Sequence, residues 1–392
     1  MLRYLTAGES HGPELNAILE GLPAGLPLAP DDLNADLARR QKGYGSGGRM
    51  QIEKDAVRIT SGLMRGQTTG GPLAMTVINR DWKNWAEKDI PPLTTPRPGH
   101  ADLTGAIKYG YEDLRLSLER ASARETTTRV AVGAVCKKFL GEFGITVGGY
   151  VAAIGGVHAQ LDPSMPYAER YRRAEEESSV RCPDPDATER IEAAIRQAKV
   201  DKDTLGGVIE VFVLGLPPGL GSHVHYDRRL TGQLLAAVGS VQSMKGAEIG
   251  PAFANADGRG TQVHDEITRA PDGSLHRRTN RAGGLEGGIT TGEPLIVRAA
   301  MKPISTTLTP LATVDLASGE PGQTVYERSD FCATPRAVVV IEAVVAFVMA
   351  NALLEKLGGD SLKEMRPRFE ALRRGHPDDL PMWNEPWRFG YE

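Results

Sequence analysis

A mixed α and β fold with an internally duplicated, pseudo-twofold core is predicted by three features of the chain. Paired motifs recur in the same order in its two halves. Strand-like and helix-like apolar patterns alternate within each half. At 392 residues the chain is also long enough to bury a large core.

The pairing is explicit. Glu20-Gly-Leu-Pro-Ala-Gly-Leu26 has a partner in Leu214-Gly-Leu-Pro-Pro-Gly-Leu220. Each copy follows an apolar strand-like segment (Leu15 to Leu19; Val208 to Val213) and precedes a helical one (Asp32 to Arg40; Asp227 to Val238). Ser61-Gly-Leu-Met-Arg-Gly-Gln-Thr-Thr-Gly-Gly-Pro-Leu73 aligns with Gly283-Gly-Leu-Glu-Gly-Gly-Ile-Thr-Thr-Gly-Glu-Pro-Leu295. More faintly, Arg120 to Phe139 resembles Arg328 to Phe347. The spacing is far longer than the ~20–50 residues of a solenoid repeat. Two amphipathic units that bury each other's apolar faces are expected instead. Further strands are expected at Arg3 to Thr6, Gln51 to Thr60, Leu73 to Ile78 and Leu295 to Ala299. Gln160 to Lys202 is charged, helix-prone and punctuated by proline, and is expected as a helical pair on the outside. Ala337 to Leu354 is apolar but carries Glu342 and Asn351 and stops at Gly358-Gly359, the pattern of a buried helix with a glycine stop rather than a membrane span. The expected organisation is one domain over residues 1–360, with halves at about 1–150 and 205–360 and an insertion at about 160–202. A polar tail follows over 361–392, whose Trp383 and Trp387 suggest packing on a neighbouring subunit.

Composition excludes some classes. With 46 Lys+Arg against 50 Asp+Glu the formal charge is −4, so no nucleic-acid coat by bulk charge is expected and an anionic partner must meet a local cluster. Cys136, Cys182 and Cys332 are odd in number and far apart, which predicts a reducing cytoplasm rather than a disulfide scaffold. Met1-Leu2-Arg3-Tyr4 opens without a signal-peptide apolar region, and no membrane partner is expected.

Three groups of residues carry possible chemistry. In Ala7-Gly8-Glu9-Ser10-His11-Gly12 a histidine between glycines sits where a ligand can approach closely, and histidine exchanges protons near neutral pH. In Pro96-Arg97-Pro98-Gly99-His100-Ala101-Asp102 prolines stiffen the approach to a second histidine, and Asp102 either orients its ring or caps the following helix. The arginines Arg39, Arg40, Arg49, Arg120, Arg124, Arg129 and Arg328 keep company with Gly, Ser and Thr, as bidentate recognition of phosphate or carboxylate requires. Taken singly, each group has an ordinary alternative: a surface-loop histidine, a structural turn, a solvated salt-bridge face. Gly43, Gly45 and Gly48 match a dinucleotide fingerprint by spelling only, because a helix precedes them and a strand-like segment follows. His223-Val-His225 lacks further ligands, so no metal is expected.

Together, in order, Glu9-Ser-His-Gly12, Arg39-Arg-Gln-Lys-Gly-Tyr-Gly45, Arg97-Pro-Gly-His-Ala-Asp102, Ser122-Ala-Arg-Glu-Thr-Thr127, Gly283 to Gly292, Met301-Lys-Pro-Ile304 and Arg328-Ser-Asp330 resemble the chorismate synthase family over roughly residues 1–360. That resemblance implies an α+β fold, a β-α-β sandwich with a duplicated pseudo-twofold core, in a homotetramer. It implies a lyase of the shikimate pathway of aromatic amino-acid biosynthesis. The reaction is 1,4-anti elimination of phosphate from 5-enolpyruvylshikimate 3-phosphate, with reduced FMN and no net redox change. It further implies His11 as the acid that protonates the leaving phosphate, His100 holding or protonating the flavin, and Asp330 assisting removal of the ring proton. Substrate binding carries over to Ser10, Arg40, Arg49, Ser122, Arg124 and Arg328. Flavin binding carries over to Arg120, Ala121, Ser122, Gln242, Ser243, Gly287, Lys302, Pro303, Ile304, Ser305, Thr306 and Arg328, and NADP to Arg40 and Ser46. NADPH then enters only indirectly, through an external flavin reductase.

Three positions depart from the family pattern. Ser46 and Gly48 stand where arginines are usual, and Ala121 replaces a serine in the Arg120-Ala-Ser122 flavin motif. Each loses a hydrogen-bonding group worth ~1.5–3 kcal/mol when charge-assisted, so weaker substrate or NADP binding with activity retained is expected. The alternative of a flavin- and phosphate-ligand-binding protein with impaired turnover has His11, His100 and Asp330 against it. A self-reducing NADPH oxidoreductase lacks its dinucleotide fingerprint.

Overall fold

The computed structural model describes residues 1–45, 54–327, 329–380 and 382–390. Two antiparallel sheets enclose a layer of helices. The first sheet contains β1 (Arg3–Ala7), β2 (Glu14–Glu20), β3 (Val57–Ser61) and β4 (Leu73–Ile78), in the order β1-β2-β4-β3. The second contains β5 (Thr146–Ile154), β6 (Val157–His158), β7 (Gly207–Leu214), β8 (Met244–Ile249) and β9 (Leu295–Met301), in the order β8-β9-β7-β5-β6. The helices α1 (Pro30–Gln41), α4 (Thr126–Gly141), α7 (Leu230–Gly239) and α8 (Thr334–Leu357) lie between them. α4 packs on β2 and β4, and α8 packs on β5 and β7. Outside this layer are α2 (Asp102–Tyr109), α3 (Arg115–Ala121), α5 (Tyr167–Glu176), α6 (Pro185–Val200) and α9 (Leu362–Glu370). The arrangement is the expected α+β sandwich.

α8 is apolar on every side because both of its faces are covered. By length and composition it could cross a membrane, yet 89% of its apolar window is buried inside the protein. It crosses α4 at Gly133, where an added Cβ would lie 2.2 Å from the Ala343 Cβ. Such an approach is open only to glycine. Gly133→Ala is expected to cost about 1–3 kcal/mol by overpacking, despite alanine's better helix propensity. Chemical denaturation checks this; a variant as stable as the parent would show that the helices separate freely.

The paired motifs make the same bonds. The Thr68 Oγ1 donates to Pro23 O (2.6 Å) and accepts from Leu26 N (3.0 Å), and the Thr290 Oγ1 donates to Pro217 O (2.7 Å) and accepts from Leu220 N (2.8 Å). Gly62 and Gly284 have φ of +81° and +84°, and a Cβ at either would lie 2.6 Å from a proline carbonyl, Pro72 O or Pro294 O. A backbone-bonding threonine and a left-handed glycine explain why these residue types recur.

Several expected boundaries differ. In the segment expected as a strand from Gln51 the ladder runs over Val57–Ser61, and Asp55 before it bonds Arg124; residues 51–53 lie outside the described residues. The Asp227 to Val238 helix divides into a single 3-10 turn (Tyr226–Arg228) and α7, broken by the extended backbone of Arg229. The helical pair, outside the layer, packs firmly onto it. Ala187, Ile191, Ile195 and Ala198 form one buried stripe of α6, and the first three join the main core with Val180 and Cys182. The chain after residue 360 opens not as a polar tail but as α9, which buries Leu362 and Met365. Trp383 and Trp387 beyond it are exposed.

Candidate active site

A cleft of two adjoining lobes, about 520 and 410 Å³, opens beside the inter-sheet layer. Arg97, His100, Ser122 and Glu327 line both lobes.

The smaller lobe holds Ser10 and His11, on the loop between β1 and β2. Gly8 there has φ +108°, and a Cβ would lie 2.4 Å from Glu14 O. Asn79 fixes the loop by donating to the Ser10 and Gly12 carbonyls. Glu119 of α3 holds the histidine twice, accepting from its backbone N–H at 2.7 Å and bonding its ring Nδ1 at 2.7 Å. Burial would raise the Glu119 carboxyl, but the His11 hydrogen bond and charge override it and hold it below its ordinary value. An ionised carboxylate therefore fixes the ring with Nδ1–H as donor. Trp85 packs on the imidazole at 4.1 Å between centroids.

The larger lobe begins at His100, whose Nδ1 lies 2.5 Å from Asp102 Oδ1. Asp102 is fully buried and also receives a bidentate pair from Arg97 Nε (2.8 Å) and Nη2 (3.1 Å). Of the two roles open to Asp102, it takes ring orientation; the helix α2 has no side-chain cap. Burial pushes its carboxyl up, but His100 and Arg97 hold it well below the carboxylate range. Asp102→Asn is expected to lower kcat by about 10- to 100-fold, since it loosens His100 and Arg97 together. Anaerobic turnover measures this; an unchanged kcat would dismiss the positioning role.

The far wall is cationic. Arg40, at the last turn of α1, donates to Thr126 Oγ1 (3.0 Å) and Ala123 O (3.1 Å). Arg124 donates to Asp55 Oδ2 at 2.7 Å, and Arg40 Nη1 lies 3.5 Å from the same carboxylate. Burial would raise Asp55; the two arginines keep it low and ionised. One carboxylate between two guanidiniums leaves net positive charge. Asp330 lines this lobe and pairs with Arg336 from the first turn of α8.

The remaining wall is formed by Ala121, Ser122, Gln242, Ser243, Lys302, Ile304, Ser305 and Thr306. Gln242 donates to Glu125 (3.2 Å), while its Oε1 is buried without a partner among the described residues. Lys302 donates to Gly99 O (3.1 Å); burial and nearby Lys245 lower its pKa.

Not every expected residue lies on the cleft. The Arg120 guanidinium turns back onto Thr6 O (2.9 Å) and Thr6 Oγ1 (2.8 Å), where it pins the end of β1. Gly287 sits on a separate hairpin beside His223, and neither it nor Pro303 lines the two lobes. Arg49, Ser46 and Arg328 lie outside the described residues. His225 is exposed and bonds Asp227; no group of three or more His, Cys, Asp or Glu able to hold a metal occurs among the described residues. Glu119, Trp85, Asp55, Lys245 and Arg336 were not anticipated. Arg97 stood inside a recognised motif, but the others carry no local sequence signal.

Two histidines fixed by carboxylates, facing a shared arginine-lined cleft, define an enzyme that binds a polyanionic small molecule and moves protons on it. The comparisons with known proteins make this specific. The family model described as chorismate synthase matches residues 2–354. A chorismate synthase of Syntrophotalea carbinolica is 56% identical over 380 residues, covering 94% of this chain and 97% of the relative. One from Chlorobaculum tepidum is 51% identical over 388 residues, covering 95% and 98%. A solved crystal structure of chorismate synthase aligns with TM-score 0.78 and 45% identity over 94% of this chain and 96% of that one. The chain belongs to the chorismate synthase family and is a carbon–oxygen lyase that forms chorismate.

Proposed function

We propose that the two-lobed cleft is the place where phosphate is eliminated from 5-enolpyruvylshikimate 3-phosphate. The observation that carries this reading is the pair of oriented histidines, His11 and His100, on adjoining lobes of one cationic cavity. Arg40 and Arg124, with Ser10 and Ser122, hold the substrate's phosphate and carboxylates, and we assign Arg49 and Arg328 to the same task. His11 delivers a proton to the departing phosphate. Its Nδ1 is committed to Glu119, so Nε2 is the exchanging nitrogen. Asp330 assists loss of the ring proton: one C–O and one C–H bond break, a double bond forms, and no net electrons are exchanged.

The opposite wall fits reduced FMN. The unpartnered Gln242 Oε1 offers an acceptor to a ring N–H, and Lys302 and Lys245 bring cations. The cavity volume is within the range of ligand sites. Ala121, Ser122, Ser243 and Ile304 to Thr306 complete the wall, with Pro303 shaping its backbone; we assign Arg120, Gly287 and Arg328 to the flavin by family resemblance. Bound there, reduced FMN would supply transient electron density for an elimination that is not an acid–base reaction of the substrate alone. His100 would hold a flavin proton, with Asp102 keeping its ring in place. We assign NADP contact to Arg40 and Ser46, with NADPH acting through an external reductase.

We further read the chain as one domain over 1–360, working as a homotetramer in the cytoplasm, with no nucleic-acid or membrane partner. The three cysteines are free and buried, in keeping with a reducing compartment. The test is anaerobic: protein, reduced FMN and substrate are mixed, and phosphate and chorismate are followed. Equal amounts of both are expected, with no NADPH oxidation by the pure protein and FMN. Tight binding without either product would favour a non-catalytic binding protein.

A further inference from the structure

The turn between α5 and α6 stitches together two edges of the cleft, and its centre is Arg181. This residue is 4% exposed and adopts φ +56°, a left-handed backbone that a non-glycine side chain keeps only when its surroundings dictate it. Its guanidinium donates to Arg39 O (2.6 Å) and Lys42 O (2.9 Å) at the exit of α1, and to Pro335 O (2.7 Å) in the first turn of α8. The Nε donates to Glu175 at 2.8 Å, and Glu175 in turn holds Arg39. Carbonyls at a helix C-terminus lack intrahelical partners and carry the negative end of the dipole, so a planar cation with several N–H groups suits them.

Backbone bonds extend the stitch. Tyr44 N donates to Ser179 O (3.0 Å), Phe331 N to Gly45 O (3.1 Å), and Val151 N to Arg181 O (2.8 Å). The exit of α1, which carries Arg40 into the cleft, is thereby fixed against the segment that carries Asp330 and Arg336. No other side chain among the described residues donates to both the α1 exit and the α8 entry.

We infer that Arg181 is a positioning residue for substrate binding: it sets the distance between Arg40 on one side and Asp330 on the other without touching the substrate. The inference rests on the reading that Arg40 binds the substrate in this cleft. It also gives the helical segment over 160–202 a part in function.

The test compares Arg181→Met, Arg181→Lys and Arg181→Gly in the full chain, below their melting temperatures. Glycine accepts the left-handed backbone, so it isolates the guanidinium from the backbone conformation. For Met and Gly, KM for 5-enolpyruvylshikimate 3-phosphate is expected to rise roughly 10- to 100-fold and more than kcat falls, while Lys recovers part of the loss. FMN affinity should stay within about twofold, because the Lys302 to Thr306 wall makes no bond to Arg181. A KM within about twofold of the parent, with only the melting temperature lowered, overturns the inference; so does an equal loss of FMN affinity. If Met and Gly do not fold, Arg181→Lys decides by the same KM criterion. Arg40→Met is measured alongside. If it leaves KM unchanged, the substrate-site reading fails; if it raises KM and Arg181→Met does not, only the positioning role fails.

Discussion

Replacing His11 by alanine is expected to lower kcat for phosphate release by about 10²–10⁴-fold, the range spanned by loss of a positioned general acid. The reason is geometric. Both Glu119 oxygens are used on this one residue, one on the backbone and one on the ring, so the imidazole is fixed in position and tautomer. Trp85 covers its face and limits access of water. A phosphate leaving without a proton must carry its full charge into a cavity whose arginines are already partly balanced by Asp55. KM should change much less than kcat, since arginines supply most of the anion binding. Glu119→Gln should fall between parent and His11→Ala: the amide oxygen can still accept the Nδ1 proton, but its NH2 cannot accept from the His11 backbone N–H and it offers no charge to a protonated ring. The measurement is single-turnover phosphate release with reduced FMN under anaerobic conditions. Turnover of His11→Ala near the parent rate would remove the acid from this position.

How much of this was legible before folding depends on the range of the interaction. α8 could be read closely because a continuous apolar run and a glycine stop are local properties. The recurrence of Thr68 and Thr290 was visible, and its cause, one hydroxyl bonding two backbone groups, appeared only in three dimensions. The expected site residues that the structure describes fall largely on one cleft, since their motifs are short and each presents its side chains from one stretch of chain. What stayed hidden were the counter-charges. Glu119 meets His11 across 108 positions of sequence, and Asp55 meets Arg124 across 69. A carboxylate that neutralises a distant cation looks, in sequence, like any surface acid. The inward bonds of the helical segment over 160–202 stayed hidden for a related reason: its charges dominate its composition, yet Arg181 and Glu175 direct theirs inward.

Arg39→Met is expected to be the most destabilising single change outside the cleft, by about 3–5 kcal/mol. Arg39 donates to Asp36 (2.7 Å), to Glu175 (3.1 and 2.8 Å) and to Glu342 (2.8 and 2.9 Å). Glu342 sits on the apolar helix α8 with no exposed surface, and its other partner is Lys137 at 2.5 Å. Removing the guanidinium leaves three buried or half-buried carboxylates to share Lys137 and Arg181, and an uncompensated buried charge costs more than the pair contributed. The melting temperature should fall by about 4–6 °C. Replacing both partners, Arg39→Met with Glu342→Leu, should recover part of the loss, because an apolar pair of similar volume requires no charge to be desolvated. Acid adds a second reading. Burial would raise Asp36, but Lys137 and Arg39 hold it down to about 2, against an ordinary value of roughly 3.9. A depressed folded-state value stabilises above the unfolded one and is lost as pH falls, so the parent should lose this contribution between about pH 4 and pH 2. The variant, lacking one of the two cations, should show a shallower loss over the same interval. A single variant less than 1 kcal/mol below the parent, with an unchanged acid profile, would mean that water rather than Arg39 solvates these carboxylates.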